Sequence, residues 1–519
     1  MALNSGPEDT AIVCLLKSPA LLKAFALSTL TAPPIGLAYL AGTMKASGIG
    51  HQIIDAVGES VDQIVALDFC DAYAIGLTMD EIVARIDPRS DIIGLSCMFS
   101  SSWPYDHRLI AKVRQRFPRA TIVVGGEHAT ACSDYILETC PAVDICVRGE
   151  GEETLVELIG VLRREGDLTK VAGLAYRDEG KVRRTEARKR IRDIDAIPLP
   201  DWDQIPIDKY MQRGLGHGAA NLRSMPLMAT RGCPYQCTFC SSPQMWTTRW
   251  MARTPSMVVD EMEQYIERYR AENFDLYDLT AIIKKDWIVA FAREILGRGL
   301  RIEYQLPSGT RSEAIDEEVS EILYRSGCRQ MNYAPETGSP ATLVRIKKKV
   351  KLPRLEQSLR GACRHGLKVM VNIILFPDDT PRDVFETFKF MLRCSWNGLH
   401  DITLVPYVPY PGAELYDRLV KEERLPPLGE EYFISLLTHS DISTAKSHNP
   451  RFSARQVQWI RLAFLALFYS SSYLFRPHRI FVNLRNVVRN TPETRGERVL
   501  RSLAERLVKI FWPKNPARA

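Results

Sequence analysis

The sequence predicts two α/β units in tandem followed by a helical region. The first is a doubly wound parallel sheet and the second a partial (β/α)6 barrel. Three observations predict this. Between residues 11 and 160, short apolar runs alternate with helical stretches. From 223 to 425 a second series of about six strand-and-helix repeats follows. Beyond 425 the strand-like runs stop and arginine-rich helical sequence takes over. The expected boundaries are 1–165, a connector at 166–222, a barrel at 223–425 and a basic helical region at 426–519.

In the first unit the strands are "AIVCLL" (11–16), "HQIIDAV" (51–57), "DIIGLSC" (91–97), "TIVVGG" (121–126) and "VDICVRG" (143–149). They are apolar along nearly their whole length, as parallel strands covered on both faces are. A ligand of such a sheet sits at the carboxyl ends of its strands. Those ends are polar and glycine-rich: "SCMFSSSW", "GGEHAT" and "RGEGEE". Serine hydroxyls, freed amides and glycines that tolerate positive φ suit a polar ligand. Within the connector, "VAGLAYRDEGKVRRTE" reads as a hairpin turning at "DEG", and "IPLPDWDQIP" (197–206) as a proline-rich linker. The barrel strands are expected at "LMATRG", "FDLYDLTA", "RIEYQLPSGT", "QMNYAPETGS", "VMVNIILFPDDT" and "DITLVPYVPYPG". Functional residues of a barrel stand at strand carboxyl ends.

Hydrophobic residues make up 45% and charged residues 25% of the 519, a globular composition. "MALNSGPEDT" has neither the basic nor the apolar part of a secretory signal. Twelve cysteines then argue for a reducing cytoplasm rather than a disulfide framework. The apolar run at 462–475 is too short to span a bilayer. The net charge of +6 is uneven, with +11 carried by residues 451–519. Residues 456–490 join Trp, Phe, Tyr and Leu to arginines, which suits a membrane interface; a helix packed on the barrel with an exposed basic end explains it equally well. No nucleic-acid partner is expected, since charge alone is weak support and no RNA-binding module is visible.

"RGCPYQCTFCSS" (231–242) puts Cys233, Cys237 and Cys240 within eight residues. The next cysteines, Cys146 and Cys328, are 87 residues before and 88 after. Clustered thiolates bind soft metals, but a closed zinc site takes four ligands, usually presented in pairs. His217 is the one fourth ligand at hand for zinc. A [4Fe–4S] cluster on three thiolates keeps one iron open to chelate a further molecule.

The spacing C-x3-C-x-aromatic-C, directly after the first strand of a β/α unit, resembles the radical SAM superfamily. The resemblance implies that the open iron binds S-adenosylmethionine, which is cleaved by one electron to a 5′-deoxyadenosyl radical. It makes Cys233, Cys237 and Cys240 the cluster ligands and places Phe239 by the adenine. Ser308 and Arg311 in "PSGTR" and Glu336 in "APETGS" fall where relatives contact the ribose or methionine part. A buried Arg311–Glu336 ion pair is the alternative for those two. "LFPDDT" departs from the commoner "GxPGET", with Leu375 and Asp378 in place of glycine, so adenine contacts there fall to backbone or apolar groups. Asp278 is given no chemistry, because only one acid aligns with the acidic pair of many relatives.

The first unit resembles the Rossmann-like cobalamin-binding domain often fused before a radical SAM domain of TIM-like partial barrel form. The carrying stretches are "TAPPIGLAYLAGTMKASG" (31–48), "SCMFSSSW", "VVGGEHAT" and "RGEGEET". The nine histidines include none in a D-x-H-x-x-G pattern, so no lower ligand to cobalt is expected from it. The resemblance places cobalamin by Ser96, Ser100, Gly125, Gly126, Glu127, Gly149 and Glu150, with only a weak role for His128. Together the cofactors imply methyl transfer to an unactivated carbon, with radical cyclisation or C–C bond formation as the alternative. A cobalamin or iron–sulfur sensor is the reading from another class. A small-molecule or lipid-like substrate, an electron donor such as flavodoxin or ferredoxin, and peripheral membrane contact through the basic region are expected as partners.

Overall fold

The computed structural model describes residues 12–501 apart from 25, 27–30, 219–221, 440, 442, 490, 495 and 499. "MALNSGPEDT" and the last part of the basic tail (502–519) lie outside the described residues. The chain forms two compact units. The first takes the chain up to Arg213, with 231–251 and 408–446 added to it. The second takes 214–230, 252–407 and the chain from Ser447 onward.

In the first unit β1 (Ile12–Lys17), β2 (His51–Asp55), β3 (Ser90–Ser96), β4 (Thr121–Gly125) and β5 (Ile145–Val147) pair in parallel. Their spatial order is β2-β1-β3-β4-β5. The hairpin β6 (Leu174–Asp178) and β7 (Lys181–Arg184) continues the sheet antiparallel from β5. Its turn residues Glu179 and Gly180 both have positive φ (48° and 78°), as a two-residue turn between twisted strands requires. The stretch expected as a connector thus supplies two edge strands, and Trp202 and Ile205 of the linker are buried. Helices α1 (Ile35–Ala46), α2 (Met79–Arg85) and α3 (Trp103–Arg116) make crossovers, the short helices Glu127–Ala131 and Ser133–Thr139 join β4 to β5, and α4 (Glu152–Arg163) leads from β5 to the hairpin. α2 starts on a capping box, in which Thr78 and Glu81 satisfy each other's exposed amides. The strand order reverses between β1 and β3, which opens the ligand crevice of a doubly wound sheet there.

In the second unit β8 (Ser224–Leu227), β9 (Asn273–Leu276), β10 (Glu303–Thr310), β11 (Cys328–Glu336), β12 (Lys368–Leu375) and β13 (Asp401–Pro406) pair in parallel in chain order. Among the described residues β8 and β13 are not paired with each other, so the barrel is partial. α5 (Pro255–Tyr269), α6 (Lys285–Gly297), α7 (Glu317–Arg325), α8 (Leu352–Arg364) and α9 (Pro381–Trp396) alternate with the strands. The interior carries a polar layer: Asn273 Nδ2 donates to Ser224 Oγ at 2.8 Å and to Asp275 Oδ1 at 3.0 Å. α10 (Ala454–Phe475) packs on α9 and β13 through Val457, Phe464 and Phe468, one stripe at helical spacing. α11 (His478–Arg489) follows it. The predicted fold class is the one observed. The helical region expected from 426 is shared, since Tyr432 and Phe433 belong to the core of the first unit.

Candidate functional site

The cysteine loop belongs to the first unit, and buried polar contacts tie it to the carboxyl edge of that unit's sheet. Arg231, two residues before Cys233, lies over the Tyr39 ring of α1. Its guanidinium donates to Glu152 Oε1 at 2.6 Å and to Glu150 Oε1 at 3.3 Å, with all three side chains almost wholly buried. Arg190 Nε donates to the other Glu150 oxygen at 3.0 Å and stacks on Trp246, which lies past the loop. Gly232 has φ +84°, and a Cβ there would stand 2.1 Å from the Arg249 carbonyl, so only glycine lets the chain turn into the loop. Leu415 N donates to Thr238 O at 2.7 Å, so the returning segment 408–446 braces the loop as well.

Cys233, Cys237 and Cys240 are half-buried, and Cys237 O accepts from Cys240 N at 3.1 Å. Burial pushes the Cys240 thiol up to about 12, and the nearby Cys237, Cys233 and Glu127 add to the rise. Three thiols within electrostatic reach of one another fit a multi-iron cationic core, which would reverse that shift. Among the described residues no three His, Cys, Asp or Glu side chains stand close enough to grip a single ion. A cube of four irons spreads its ligands more widely than one ion does. His217, the fourth ligand considered for zinc, packs edge-on against Tyr277 at 4.4 Å. Phe239 is half-buried within the loop.

At the strand ends of the first unit, Ser96 pairs in register with Gly125, and Gly125 with Val147. Gly126 has φ +114°, and a Cβ there would meet Cys97 O at 2.6 Å. Gly149 has φ +82° and nothing within 4 Å of where a Cβ would point. Of these positions Gly149 faces open space, whereas a Cβ on Gly125 would touch Val147 at 3.7 Å. Glu127 is bonded to Ser241, the residue after Cys240, and its carboxyl is raised chiefly by burial. Two expected cobalamin contacts differ. Both carboxylate oxygens of Glu150 are taken by Arg231 and Arg190, and Oε2 also accepts from Ile191 N, so its side chain is a brace for the cysteine loop. Ser100 Oγ meets His128 Nδ1 at 2.9 Å inside the core. His128 is packed against Trp103 and Phe433, and burial lowers it to about 3, which makes it a neutral core residue.

The second unit holds the remaining candidates at its strand ends. Ser308 lies at a register shift of β10. Arg311 follows that strand and reaches Glu313 at 3.3 Å and the Lys349 carbonyl. Glu336 ends β11 with φ +69°, strained for a residue with a Cβ. Lys348 Nζ donates to Glu336 Oε1 at 2.9 Å, a partner the sequence did not suggest. Burial raises the Glu336 carboxyl, and Lys348 and then Arg311 oppose the rise. Asp278 accepts from Ala229 N at 3.3 Å and from the Thr230 hydroxyl, holding the backbone that leads toward the cysteine loop. Phe376, beside Leu375 and Asp378, is buried on Tyr407.

The sequence reading missed Arg231, Arg190, Ser241 and Lys348. The one available signal was Arg231 itself, an arginine directly before a Gly-Cys step, where a buried cation needs a carboxylate partner. It also missed a polar cluster at the ends of β1 and β2, where Tyr210 OH donates to Asp55 Oδ2 at 2.7 Å and Lys17 Nζ to Ala32 O at 2.8 Å.

Comparison with known proteins agrees with this geometry. The family model described as the B12 binding domain matches residues 24–159, and that of the radical SAM superfamily matches residues 227–391. An uncharacterized methyltransferase of Pyrococcus horikoshii is 30% identical over 400 residues, 76% of this chain and 80% of that protein. An anaerobic magnesium-protoporphyrin IX monomethyl ester cyclase of Cereibacter sphaeroides is 28% identical over 394 residues, 75% of this chain and 60% of the relative. A hopanoid C-3 methylase of Methylococcus capsulatus is 23% identical over 386 residues, 73% of this chain and 67% of the relative. The solved radical S-adenosylmethionine methyltransferase TsrM of Kitasatospora setae shares the fold, with a TM-score of 0.61 at 17% identity over 79% of this chain and 76% of that one. The chain is therefore a radical SAM enzyme and belongs to the branch of that superfamily in which a B12-binding domain precedes the radical SAM domain.

Proposed function

We propose that the protein transfers a methyl group to an unactivated carbon of a small molecule. When bound, the [4Fe–4S] cluster, S-adenosylmethionine and cobalamin supply a carbon-centred radical and a methyl donor. The observation that carries this reading is the bracing of the cysteine loop on the carboxyl edge of the doubly wound sheet, through Arg231–Glu150–Arg190 and Glu127–Ser241. In a cobalamin-first radical enzyme those are the two cofactors that must work side by side. Cys233, Cys237 and Cys240 hold the cluster, and Phe239 covers the adenine. Ser308, Arg311 and Glu336 orient the ribose and methionine part. Ser96, Gly125, Gly126 and Gly149 let the backbone approach cobalamin, with Glu127 beside it.

Methylating relatives support methyl transfer, and the hopanoid C-3 methylase supports a lipid-like substrate. The cyclase relative supports radical ring closure as the second reading. A flavodoxin or ferredoxin supplies the electron, and the basic helical region meets a membrane surface. Among the described residues no helix is long and apolar enough to cross a membrane.

The test is anaerobic reconstitution with iron, sulfide, cobalamin, reductant and S-adenosylmethionine, with metal analysis beforehand. Methyl transfer predicts both cobalt and iron in the protein, and both 5′-deoxyadenosine and S-adenosylhomocysteine as products. 5′-Deoxyadenosine without S-adenosylhomocysteine overturns methyl transfer and leaves ring closure. No 5′-deoxyadenosine under any reductant leaves the sensor.

A further inference from the structure

The second unit contains a cavity of about 530 Å3 at the amino-terminal ends of β12 and β13. It lies at the opposite end of these strands from the end of the barrel that carries Ser308, Arg311 and Glu336. Its volume is that of a small-molecule site. Among the described residues five cations line it: Arg360 and Arg364 near the end of α8, Lys368 at the start of β12, Arg476 just after α10 and Arg479 in the first turn of α11. Among the described residues the one carboxylate in the lining is Glu497, which accepts from Asn486 Nδ2 at 3.0 Å and from two backbone amides of its own turn.

The partners of these cations leave their charge largely uncompensated. Arg360 donates to the neutral amide oxygen of Asn397 at 2.8 and 3.0 Å. Arg476 donates to the Ser395 and Trp396 carbonyls, and Arg479 to the Gly398 and Leu399 carbonyls and to Ser472 Oγ. Ser395 and Trp396 end α9 and Gly398 and Leu399 form the turn that follows, so Arg476 caps the helix carboxyl terminus and Arg479 holds the turn beyond it. Among the described residues only Lys368, with Glu493 at 2.8 Å, and Arg364, with Glu317 at 3.8 Å, have acidic partners. Burial lowers Arg479 and the neighbouring Arg476 lowers it further, while Cys363, Asp401 and Tyr473 oppose the fall. At the rim, the exposed lining residue Trp396 meets Phe475 edge-on at 5.0 Å.

We propose that this cavity binds a phosphate monoester or diester, with Arg360, Arg364 and Lys368 gripping its oxygens and Arg476 and Arg479 supplying fixed positive charge. A planar guanidinium donates two parallel N–H bonds to two phosphate oxygens, which a simple halide cannot accept. The apolar rim favours a ligand with an apolar body, so the headgroup of an anionic lipid is the preferred source over a soluble organophosphate. The site is independent of the radical chemistry.

The test compares the full-length reconstituted protein with the double variant Arg360→Gln/Arg364→Gln, which keeps the helix-capping arginines and therefore the fold. Calorimetric titration with inorganic phosphate at constant ionic strength should show saturable binding, weakened about tenfold or more in the variant. Flotation with phosphatidylcholine vesicles, with and without phosphatidylglycerol, then identifies the source. Capture that needs phosphatidylglycerol and falls in the variant supports the lipid headgroup. Phosphate binding that falls in the variant without vesicle capture supports a soluble phosphate ligand. No saturable phosphate binding, or equal affinity in both proteins, overturns the site. 5′-Deoxyadenosine yield, measured in parallel, reports on the proposed radical reaction separately.

Discussion

Glu150 shows how a single side chain changes meaning once its partners are known. Its place after a strand-end glycine suggested a ligand contact, whereas its two oxygens hold Arg231 and Arg190 on either side of the cysteine loop. Breaking such a buried pair leaves uncompensated charge and costs on the order of 3 kcal/mol. Arg231→Gln is therefore expected to lower the unfolding free energy by about that amount. It should also reduce bound iron after reconstitution, read by denaturant melts and iron analysis. Replacing any one of Cys233, Cys237 or Cys240 by alanine should abolish 5′-deoxyadenosine formation while the circular dichroism spectrum stays unchanged. The cysteines were legible because their spacing is local. Arg231 was not, because its carboxylates lie about eighty residues away in sequence.

The elements were legible where a local rule acts. "DEG" gave the hairpin because a two-residue turn needs positive φ, and the near-continuous apolar runs gave the buried parallel strands. What the pattern could not give was the neighbour each element chooses. The hairpin of the expected connector extends the first sheet, and the returning segment 408–446 packs in the first unit. Gly126 joins β4 to the short helix Glu127–Ala131 at φ +114°, with Cys97 O where a Cβ would sit. Gly126→Ala is expected to cost about 2 kcal/mol or more. It should also cut cobalt content after reconstitution, measured against iron as the internal reference.

At the scale of the molecule, stability should depend on pH through Asp106. It is buried on α3, accepts from Ser18 and Cys97, and burial raises it to about 7. The unfolded carboxyl titrates near ~3.9, so between about 4 and 7 the folded state holds the proton more tightly. The contribution is therefore complete below pH ~4 and is lost as pH rises toward about 7. Asp106→Asn should flatten that part of the stability profile, measured by denaturant melts across the window. The second unit also depends on its last helices. Phe464 and Phe468 of α10 are buried against the barrel, so a chain ending at residue 446 should expose that surface and aggregate on expression.

The sequence by itself determined the two α/β units, the three-cysteine loop and the glycine-rich strand ends, because each is written in spacings of a few residues that turn geometry, strand burial and metal ligation impose locally. The tertiary structure alone decided that the cysteine loop is braced on the B12-binding sheet, that Lys348 pairs with Glu336, and that five cations gather at one end of the barrel strands. Those pairings join residues far apart in the chain, and burial, which fixes the strength of a charge and the partner it must find, exists only after the chain has folded.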